Sequence, residues 1–217
     1  MTIRIFLIDD HALVRTGLRM ILAGTVDIEI VGEAESGEEA LPQIRELKPD
    51  VVVCDMHLPG ISGLEVTERL VKGSQHARVV IVSVLEDGPI PKRVIAAGAT
   101  AYVGKGGDPK ELIEAVREAA RGKRYLGSGV AQNLALSSIG GGATPFDDLT
   151  RRELEVAMLL LQGLRQEDIA KRLSLSSKTV NTHKSRLFAK LGIEDGMSLA
   201  RLAQQYGMLD PGQTAPA

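Results

Sequence analysis

The stretch Ile3-Arg4-Ile5-Phe6-Leu7-Ile8-Asp9-Asp10 decides the fold of the first half of the chain, because a short apolar run stops abruptly at two aspartates. Similar runs follow at residues 28–31, 51–54, 79–82 and 101–103. Each is short, rich in β-branched residues and bounded by Gly, Pro or Asp. Such runs are typical of strands that are buried on both faces of a parallel sheet.

Helical patterns alternate with these runs, beginning with apolar spacing over residues 11–22. Ser36 with Glu39 has the pattern of a capping box, which predicts a helix that ends near Leu47. A further helix start, with a cap and a proline in its first turn, is predicted at residues 108–111. Five strand–helix units over roughly 120 residues predict an α/β domain with a doubly wound, five-stranded parallel sheet, flavodoxin-like in class.

Polar side chains stand where the predicted strands end, the edge at which such sheets bind ligands. Asp9 and Asp10 follow the first strand, Asp55 the third and Lys105 the fifth, while Ser83 ends the fourth. Three neighbouring carboxylates would repel one another without a cation, and oxygen ligands with an open side suit Mg²⁺. With Lys105 as a second positive charge, the set predicts a site for phosphoryl chemistry.

Charge and composition exclude several classes of protein. The formal net charge of −2 is not that of a polycation that coats nucleic acid, so a nucleic-acid surface has to be local. Residues 176–191 are such a place, with four basic side chains and no acidic one. The single cysteine, Cys54, excludes an internal disulfide. Neither a secretion signal nor a membrane span is expected, and we predict a cytoplasmic protein.

Short amphipathic helices fill the second half of the chain. The residues Thr150-Arg151-Arg152-Glu153 predict a capping box that opens the first of them, which extends to Gly163. Further helices are expected at 166–173, 178–191 and 198–206. Together they predict a small all-α domain of four helices whose middle pair is a helix-turn-helix.

The third of these helices has two distinct faces. Its apolar residues, Val180, Leu187, Phe188 and Leu191, follow helical spacing and should pack inside. The opposite face and its flanks carry Lys178, Asn181, Thr182, Lys184, Ser185 and Arg186. Small polar residues between cations suit the major groove of DNA, where Asn181 fits an adenine edge. From this helix alone, a merely solvated basic face is the simpler interpretation.

The first half closely resembles the receiver domain of two-component response regulators over residues 1–122. The resemblance lies in Asp9-Asp10, in Asp55-Met56-His57-Leu58-Pro59-Gly60, in Ser83, and in Tyr102-Val103-Gly104-Lys105. It implies that Asp55 accepts a phosphoryl group from a phosphohistidine. It also implies that Asp9, Asp10, Asp55 and the backbone carbonyl of His57 hold Mg²⁺. Ser83 and Lys105 would then contact phosphoryl oxygens, and Tyr102 would turn inward as a switch.

The second half resembles the LuxR/FixJ-type helix-turn-helix over about residues 145–207. The resemblance implies that the third helix enters the major groove and that the last helix, with Leu199, Leu202 and Ala203, is a dimer face. These three residues form an apolar stripe along the helix, and a stripe of this kind is more often packed inside a domain. The residues expected at DNA are Lys178, Thr179, Asn181, Thr182, His183, Lys184, Ser185 and Arg186.

The pair of domains is that of the NarL/FixJ class, and residues 89–91 and 123–136 look most like the GacA/UvrY/SirA group. The resemblance implies a sensor histidine kinase as phosphodonor, in that group a membrane hybrid kinase. It also implies double-stranded promoter DNA as target and a homodimer on activation. We expect the receiver at 1–122, a linker at 123–145 with a short helix at 130–136, the DNA-binding domain at 146–209 and a disordered tail at 210–217.

Two other functions are alternatives to a phosphorylated, DNA-binding transcription regulator. An aspartyl-phosphate phosphatase keeps Asp-x-Asp after its first strand, whereas here Asp9 and Asp10 are adjacent. A receiver-fold regulator that works without phosphorylation is the second alternative, since Val84 follows Ser83 where many receivers have a smaller residue. Neither His11 nor His57 has metal-ligand spacing with another histidine, and Cys54 is interpreted as a small core residue.

Overall fold

The structure, a computed structural model, describes residues 2–73, 77–139 and 144–206, and residues 137–139 by their backbone only. The chain divides into two compact units, and each is described by itself. The first contains residues 2–73, 77–86 and 90–136, and the second contains residues 87–89 and the described residues from 137 onward. Within these residues, no helix has the length and apolar character that crossing a bilayer requires.

The first unit is built on a fully parallel sheet in the order β2-β1-β3-β4-β5-β6. Its strands are β1 Ile3–Ile8, β2 Ile28–Ala34, β3 Val51–Asp55, β4 Arg78–Ser83, β5 Ala101–Gly104 and β6 Tyr125–Leu126. The predicted doubly wound parallel sheet is confirmed, with a sixth strand of two residues added at its edge. The central strands are buried because helices cover both faces of the sheet.

Helices alternate with the strands, as the sequence predicted. They are α1 Ala12–Ala23, α2 Gly37–Leu47, α3 Gly63–Lys72, α4 Pro89–Ala96, α5 Pro109–Ala120 and α6 Ser128–Ile139. The cap of α2 is confirmed, since the Ser36 hydroxyl accepts from the backbone N–H of Glu39 at 3.3 Å. The Glu39 carboxylate reaches back to the N–H of Glu35. At α5, Asp108 caps the N–H of Lys110 at 2.9 Å.

The segment that follows α5, where we predicted a linker with one short helix, contains a strand and a helix. The N–H of Tyr125 donates to the carbonyl of Thr100 and that of Gly127 to the carbonyl of Tyr102, so β6 extends the sheet beside β5. The predicted helix at 130–136 lies inside α6, whose Val130 is fully buried. Residues 123–136 are therefore grouped with the first unit. This short strand has too few residues for a pattern in the sequence.

The other predicted connecting segments lie partly or wholly outside the described residues. The flexible tether that we predicted at 137–145 lies partly outside the described residues, at 140–143, and the predicted tail at 210–217 lies wholly outside them. The domain boundaries at 122, 145 and 209 stay predictions.

The second unit is helical. After a 3₁₀ turn at Pro145–Asp148 come α7 Arg151–Leu161, α8 Gln166–Arg172, α9 Ser177–Leu191 and α10 Gly196–Gln205. The capping box of Thr150 and Glu153 is confirmed at the start of α7. Gly192 ends α9 in the left-handed conformation, with φ of 65°, which favours glycine. The small four-helix domain predicted from the sequence is confirmed.

Candidate functional site

The carboxyl ends of four neighbouring strands position the acidic site of the first unit. Asp9 directly follows β1, Asp55 is the last residue of β3, and Ser83 is the last residue of β4. Lys105 directly follows β5, and its backbone N–H donates to the carbonyl of Ser83 at 2.7 Å. Parallel pairing thus brings groups that are far apart in sequence to one edge of the sheet, as predicted.

Lys105 joins the two most buried carboxylates of this edge. Its Nζ lies 2.9 Å from Oδ2 of Asp9 and 3.0 Å from Oδ2 of Asp55. The side chains of Asp9 and Asp55 are 1% and 3% exposed, and that of Lys105 is 15% exposed. Because water is largely excluded, this ion-pair set depends on its own members for charge compensation.

The pKa shifts at this site have opposing causes. Burial raises the pKa of the Asp55 carboxyl, and the Lys105 charge and the backbone N–H of His57 offset only part of this effect. Burial acts to lower the pKa of Lys105, but the charges of Asp55 and Asp9 outweigh it and raise that pKa. Lys105 is therefore held in its charged form, whereas keeping Asp55 ionised in this buried position costs free energy.

The acidic residues form a set that fits a hard divalent cation. Ligand atoms of Asp9, Asp10, His11 and Asp55 all lie within 4.8 Å of one another. Three carboxylates at one point match the oxygen ligands that Mg²⁺ prefers. His57 comes two residues after Asp55, the last residue of β3, and is partly exposed, so its backbone carbonyl belongs to the loop that follows this strand.

Ser83 and Tyr102 are buried beside the loop that follows β4. The Ser83 hydroxyl accepts from the N–H of Leu85 at 3.1 Å, and the Tyr102 hydroxyl donates to the carbonyl of Leu85 at 2.5 Å. Tyr102 is thus turned inward in this structure, and its burial raises the pKa of the phenol. The side chain of Val84 is 68% exposed, so it lies outside the core that holds Ser83.

Several contacts that shape the site are not predicted by the sequence. A Cβ on Gly63 would lie 2.2 Å from the carbonyl oxygen of Asp55, so only glycine permits α3 to start this close to β3. Gly60 has φ of +74°, and the next residue, Ile61, donates its N–H to the Glu38 carboxylate at 3.1 Å. These contacts join segments that are distant in sequence, so no local sequence pattern predicts them.

Burial separates the two faces of α9 as predicted. Val180, Leu187 and Phe188 are buried, while Leu191 is half-buried. The side chains predicted at DNA are exposed or partly exposed: Lys178, Thr179, Asn181, Thr182, His183, Lys184, Ser185 and Arg186. All eight therefore remain accessible along α9, although Thr179, His183 and Lys184 are only partly exposed and Lys184 lies over the ring of Phe188.

The start of α9 is fixed by local hydrogen bonds. The Ser176 hydroxyl accepts from the N–H of Thr179 at 3.1 Å. Gln166, at the start of α8, donates its side-chain amide to the carbonyl of Ser177 at 2.8 Å, which joins the two helices of the helix-turn-helix. At the other end, Lys190 pairs with the Glu153 carboxylate at 2.7 Å. The helix is therefore held at both ends while its polar face stays open.

The apolar stripe on α10 lies largely inside the chain. Leu199 and Ala203 are 1% and 0% exposed, and Leu202 is half-buried. This agrees with the simpler interpretation of the stripe, that it packs in the core. A dimer face on α10 would need its exposed residues, among them Met197.

Comparison with known proteins agrees with the two sites. Residues 5–117 match the family described as "Response regulator receiver domain". Residues 147–203 match the family "Bacterial regulatory proteins, luxR family". The two matches coincide with the unit that carries the acidic site and the unit that carries the helix-turn-helix.

Similar proteins cover almost the whole chain. Response regulator GacA of Pseudomonas viridiflava is 43% identical over 210 residues, which are 96% of this chain and 98% of that protein. Response regulator UvrY of Escherichia coli K12 is 39% identical over 208 residues, 95% of each chain. Among solved structures, RcsB from Salmonella enterica serovar Typhimurium, bound to promoter rprA with the phosphomimetic BeF₃⁻, has a TM-score of 0.71. Its 24% identity, over 94% of this chain and 99% of RcsB, shows a shared fold.

These matches confirm the resemblance seen in the sequence, including the group of relatives. They also exclude the phosphatase alternative, because the family consists of transcription regulators and not of enzymes. The chain belongs to the response regulators that join a receiver domain to a LuxR-type DNA-binding domain, and within them it is related to GacA and UvrY.

Proposed function

We propose that Asp55 is the phosphoryl acceptor of this response regulator and that its phosphorylation controls promoter binding through α9. The observation that carries this proposal is the pairing of a buried Asp55 with Lys105 at 3.0 Å, at the ligand-binding edge of the sheet. A carboxylate oxygen of Asp55 attacks the phosphorus of a phosphohistidine. The P–N bond breaks, and an acyl phosphate forms.

The residues around Asp55 have separate tasks in this proposal. Asp9, Asp10, Asp55 and the carbonyl of His57 would hold Mg²⁺, which supplies positive charge against the phosphoryl oxygens when it is bound. Lys105 provides a fixed second charge, and the Ser83 hydroxyl donates to a phosphoryl oxygen. A hydroxyl can accept one bond while it donates another, so a Ser83 that turns toward the phosphoryl group would keep the N–H of Leu85 and draw the loop after β4 with it.

The inward position of Tyr102 supports a way for a change at the acidic site to reach other parts of the first unit. Its hydroxyl holds the carbonyl of Leu85, and the side chain of Asn133 on α6 donates to the carbonyl of Glu86 at 3.4 Å. A shift of this loop would therefore act on α6, which lies at the end of the first unit. This is a local charge event that biases a two-state element.

The rest of the proposal concerns partners. We infer a sensor histidine kinase as phosphodonor, in this group a membrane hybrid kinase, and a homodimer that forms on activation in the cytoplasm. Two α9 helices in one dimer would bind two half-sites at high effective concentration, which raises affinity without new types of contact. The basic residues hold phosphates, and Asn181 reads a base edge.

The test is selection of DNA from random duplexes by the full chain, at fixed salt, with and without acetyl phosphate and Mg²⁺. We expect enrichment of a two-fold symmetric site that is stronger with the phosphodonor. Asp55→Asn should abolish both phosphoryl uptake, measured by intact mass, and the response to the donor. The matched control is Asp27→Asn, since Asp27 pairs with Arg117 at the start of β2, away from the site.

The regulator that works without phosphorylation gives a different result in the same experiment. Its DNA would be enriched equally with and without acetyl phosphate, and Asp55→Asn would bind as wild type does. That outcome would contradict the role of Asp55 but leave α9 as the DNA-binding helix.

A further inference from the structure

The side chain of Glu86, in the loop after β4, lies between β5 and the start of α6. A Cβ on Gly104, the last residue of β5, would overlap Oε1 of Glu86. A Cβ on Gly129, in the first turn of α6, would overlap Oε2 of the same carboxylate. A side chain at either glycine would therefore displace the carboxylate. Glu86 is half-buried here and contacts both elements.

The backbone of the same loop joins Ser83 to α6. The N–H of Leu85 donates to the Ser83 hydroxyl, and the carbonyl of Leu85 accepts from Tyr102. The carbonyl of Glu86 accepts from the side-chain amide of Asn133, one turn further along α6. Glu86 thus contacts α6 through its carbonyl and through its carboxylate. A displacement of Ser83 can therefore reach α6 through two residues, Leu85 and Glu86.

The first turn of α6 is held by carboxylates as well as by apolar packing. Among residues 128–136, Val130 alone is buried. The N–H of Ser128 donates to the Glu111 carboxylate at 3.1 Å, so Glu86 is a second carboxylate at this end of the helix. Negative charge near the N-terminus stabilises a helix, because the first N–H groups have no partner within it and the helix dipole is positive there. Loss of Glu86 from this place should therefore loosen α6.

Building on the proposed phosphorylation of Asp55, we propose that Glu86 holds α6 against the receiver in the unphosphorylated chain and withdraws from it on phosphorylation. Ser83 draws the loop after β4 toward the phosphoryl group, which pulls the carboxylate out from between Gly104 and Gly129. The first turn of α6 then loses one of its two carboxylates and opens more often. Glu86 takes no part in the phosphoryl transfer itself.

A contact that is merely structural would behave differently. If Glu86 stays in place in both states, its removal loosens α6 by the same factor with and without phosphorylation. If phosphorylation withdraws Glu86, its removal and phosphorylation have the same effect on α6, and the two effects do not add. Additivity therefore separates the two cases.

The experiment measures hydrogen–deuterium exchange of residues 128–136 in the full chain, with and without acetyl phosphate and Mg²⁺. Intact mass counts the bound phosphoryl groups in the same samples. The variant Glu86→Gln keeps the size of the side chain but loses its charge. Its matched control is Glu46→Gln, which removes an exposed carboxylate on α2. Exchange in β3 shows whether each variant is folded.

Without acetyl phosphate, Glu86→Gln should lower the protection factors of α6 about two- to fivefold, and Glu46→Gln should match wild type. Acetyl phosphate should lower protection in wild type by a similar factor. It should leave α6 unchanged in Glu86→Gln, which still takes up one phosphoryl group.

Three results would overturn the role of Glu86. They are wild-type protection in unphosphorylated Glu86→Gln, a further fall when this variant is phosphorylated, and unchanged or higher protection of α6 in phosphorylated wild type. A wild-type chain that takes up no phosphoryl group would instead overturn the proposed function. The contact in the unphosphorylated chain would still be decided by Glu86→Gln.

Gly129→Ala gives a second test that leaves the charge in place. Alanine favours a helix over glycine, so in the Glu86→Ala background this substitution should raise the protection of α6. In wild type the added methyl group meets the carboxylate, and the gain should be smaller or reversed. An equal gain in both backgrounds would show that Glu86 does not lie between the two glycines.

Discussion

The acidic site of the receiver and the polar face of α9 are built in contrasting ways. The acidic site takes single residues from the ends of β1, β3, β4 and β5 and buries their charges against one another. The polar face takes its residues from one continuous segment, 178–186, and leaves their side chains exposed or half-exposed.

This difference predicts how each site responds to change. Charges that share a buried network compensate one another, so removal of one leaves the others uncompensated and affects folding. Side chains on the open face of a helix affect what binds there and have little effect on stability. The contrast would be contradicted by a substitution in the acidic site that leaves stability unchanged, or by one on the open face of α9 that lowers stability.

The largest effect on stability is expected for Lys105→Met, because it leaves Asp9 and Asp55 buried without their cation. We expect a loss of about 3 kcal/mol in the free energy of unfolding of the receiver at pH 7. Urea denaturation of the full chain measures it. The control is Lys110→Met, since Lys110 is exposed on α5.

The same experiment tests whether the acidic site acts as a network. Asp55→Asn should add more stability in the Lys105→Met background than it adds to wild type, because without Lys105 the charge of Asp55 is uncompensated. Equal gains in the two backgrounds would contradict the network.

Asn181→Ala tests the opposite side of the comparison. We expect affinity for the selected operator to fall by about tenfold, or roughly 1.4 kcal/mol, since one base contact is lost. The melting temperature should stay that of wild type because Asn181 is exposed. Fluorescence anisotropy with labelled duplex measures binding, with Gln162→Ala as an exposed control in the same unit. An equal loss on random DNA would mean that Asn181 does not read a base.

Ser176→Ala sharpens the comparison within the second unit. Ser176 caps α9 and is not part of the predicted DNA face, so its loss should cost stability, about 1 kcal/mol. Ser185→Ala, in the middle of the same helix, should cost less than about 0.5 kcal/mol. Thermal unfolding monitored by circular dichroism distinguishes the two. Equal costs would mean that α9 does not depend on its cap.

The smallest effect is a pH dependence from Asp55. Its folded pKa is raised by burial, so wild type loses stability as pH rises from the unfolded value of the carboxyl through the folded one. Asp55→Asn lacks this loss. We expect the free energy of unfolding of the variant to rise relative to that of wild type as pH rises. At pH 7 the difference should be no more than about 1 kcal/mol, because Lys105 offsets part of the burial cost. A gain that grows toward acid pH would contradict the raised pKa.

The sequence alone predicted most of the fold because its patterns are local. The apolar runs that end in Asp10, Asp55 and Ser83 identify strands, and the caps at Ser36 and Thr150 identify helix starts. The placement of polar residues at strand ends then follows from the geometry of any parallel sheet. For the same reason the faces of α9 were assigned correctly from spacing.

What could not be predicted depends on contacts between distant segments. The position of Gly63 against the Asp55 carbonyl, and that of Glu38 against the N–H of Ile61, require α2, α3 and β3 to be assembled first. The His11 ring contacts Asp10 instead of capping α1, and this orientation likewise cannot be predicted from the spacing between histidines in the sequence.

The short strand β6 has a consequence for where a receiver can be joined to another domain in the laboratory. A fusion joined at residue 122 would remove the partners of the Thr100 and Tyr102 carbonyls and leave β5 as a bare edge open to pairing with another chain. A junction placed after residue 136 keeps that edge covered. A receiver that is moved to another protein should therefore carry β6 and most of α6 with it, so that β5 keeps its neighbour.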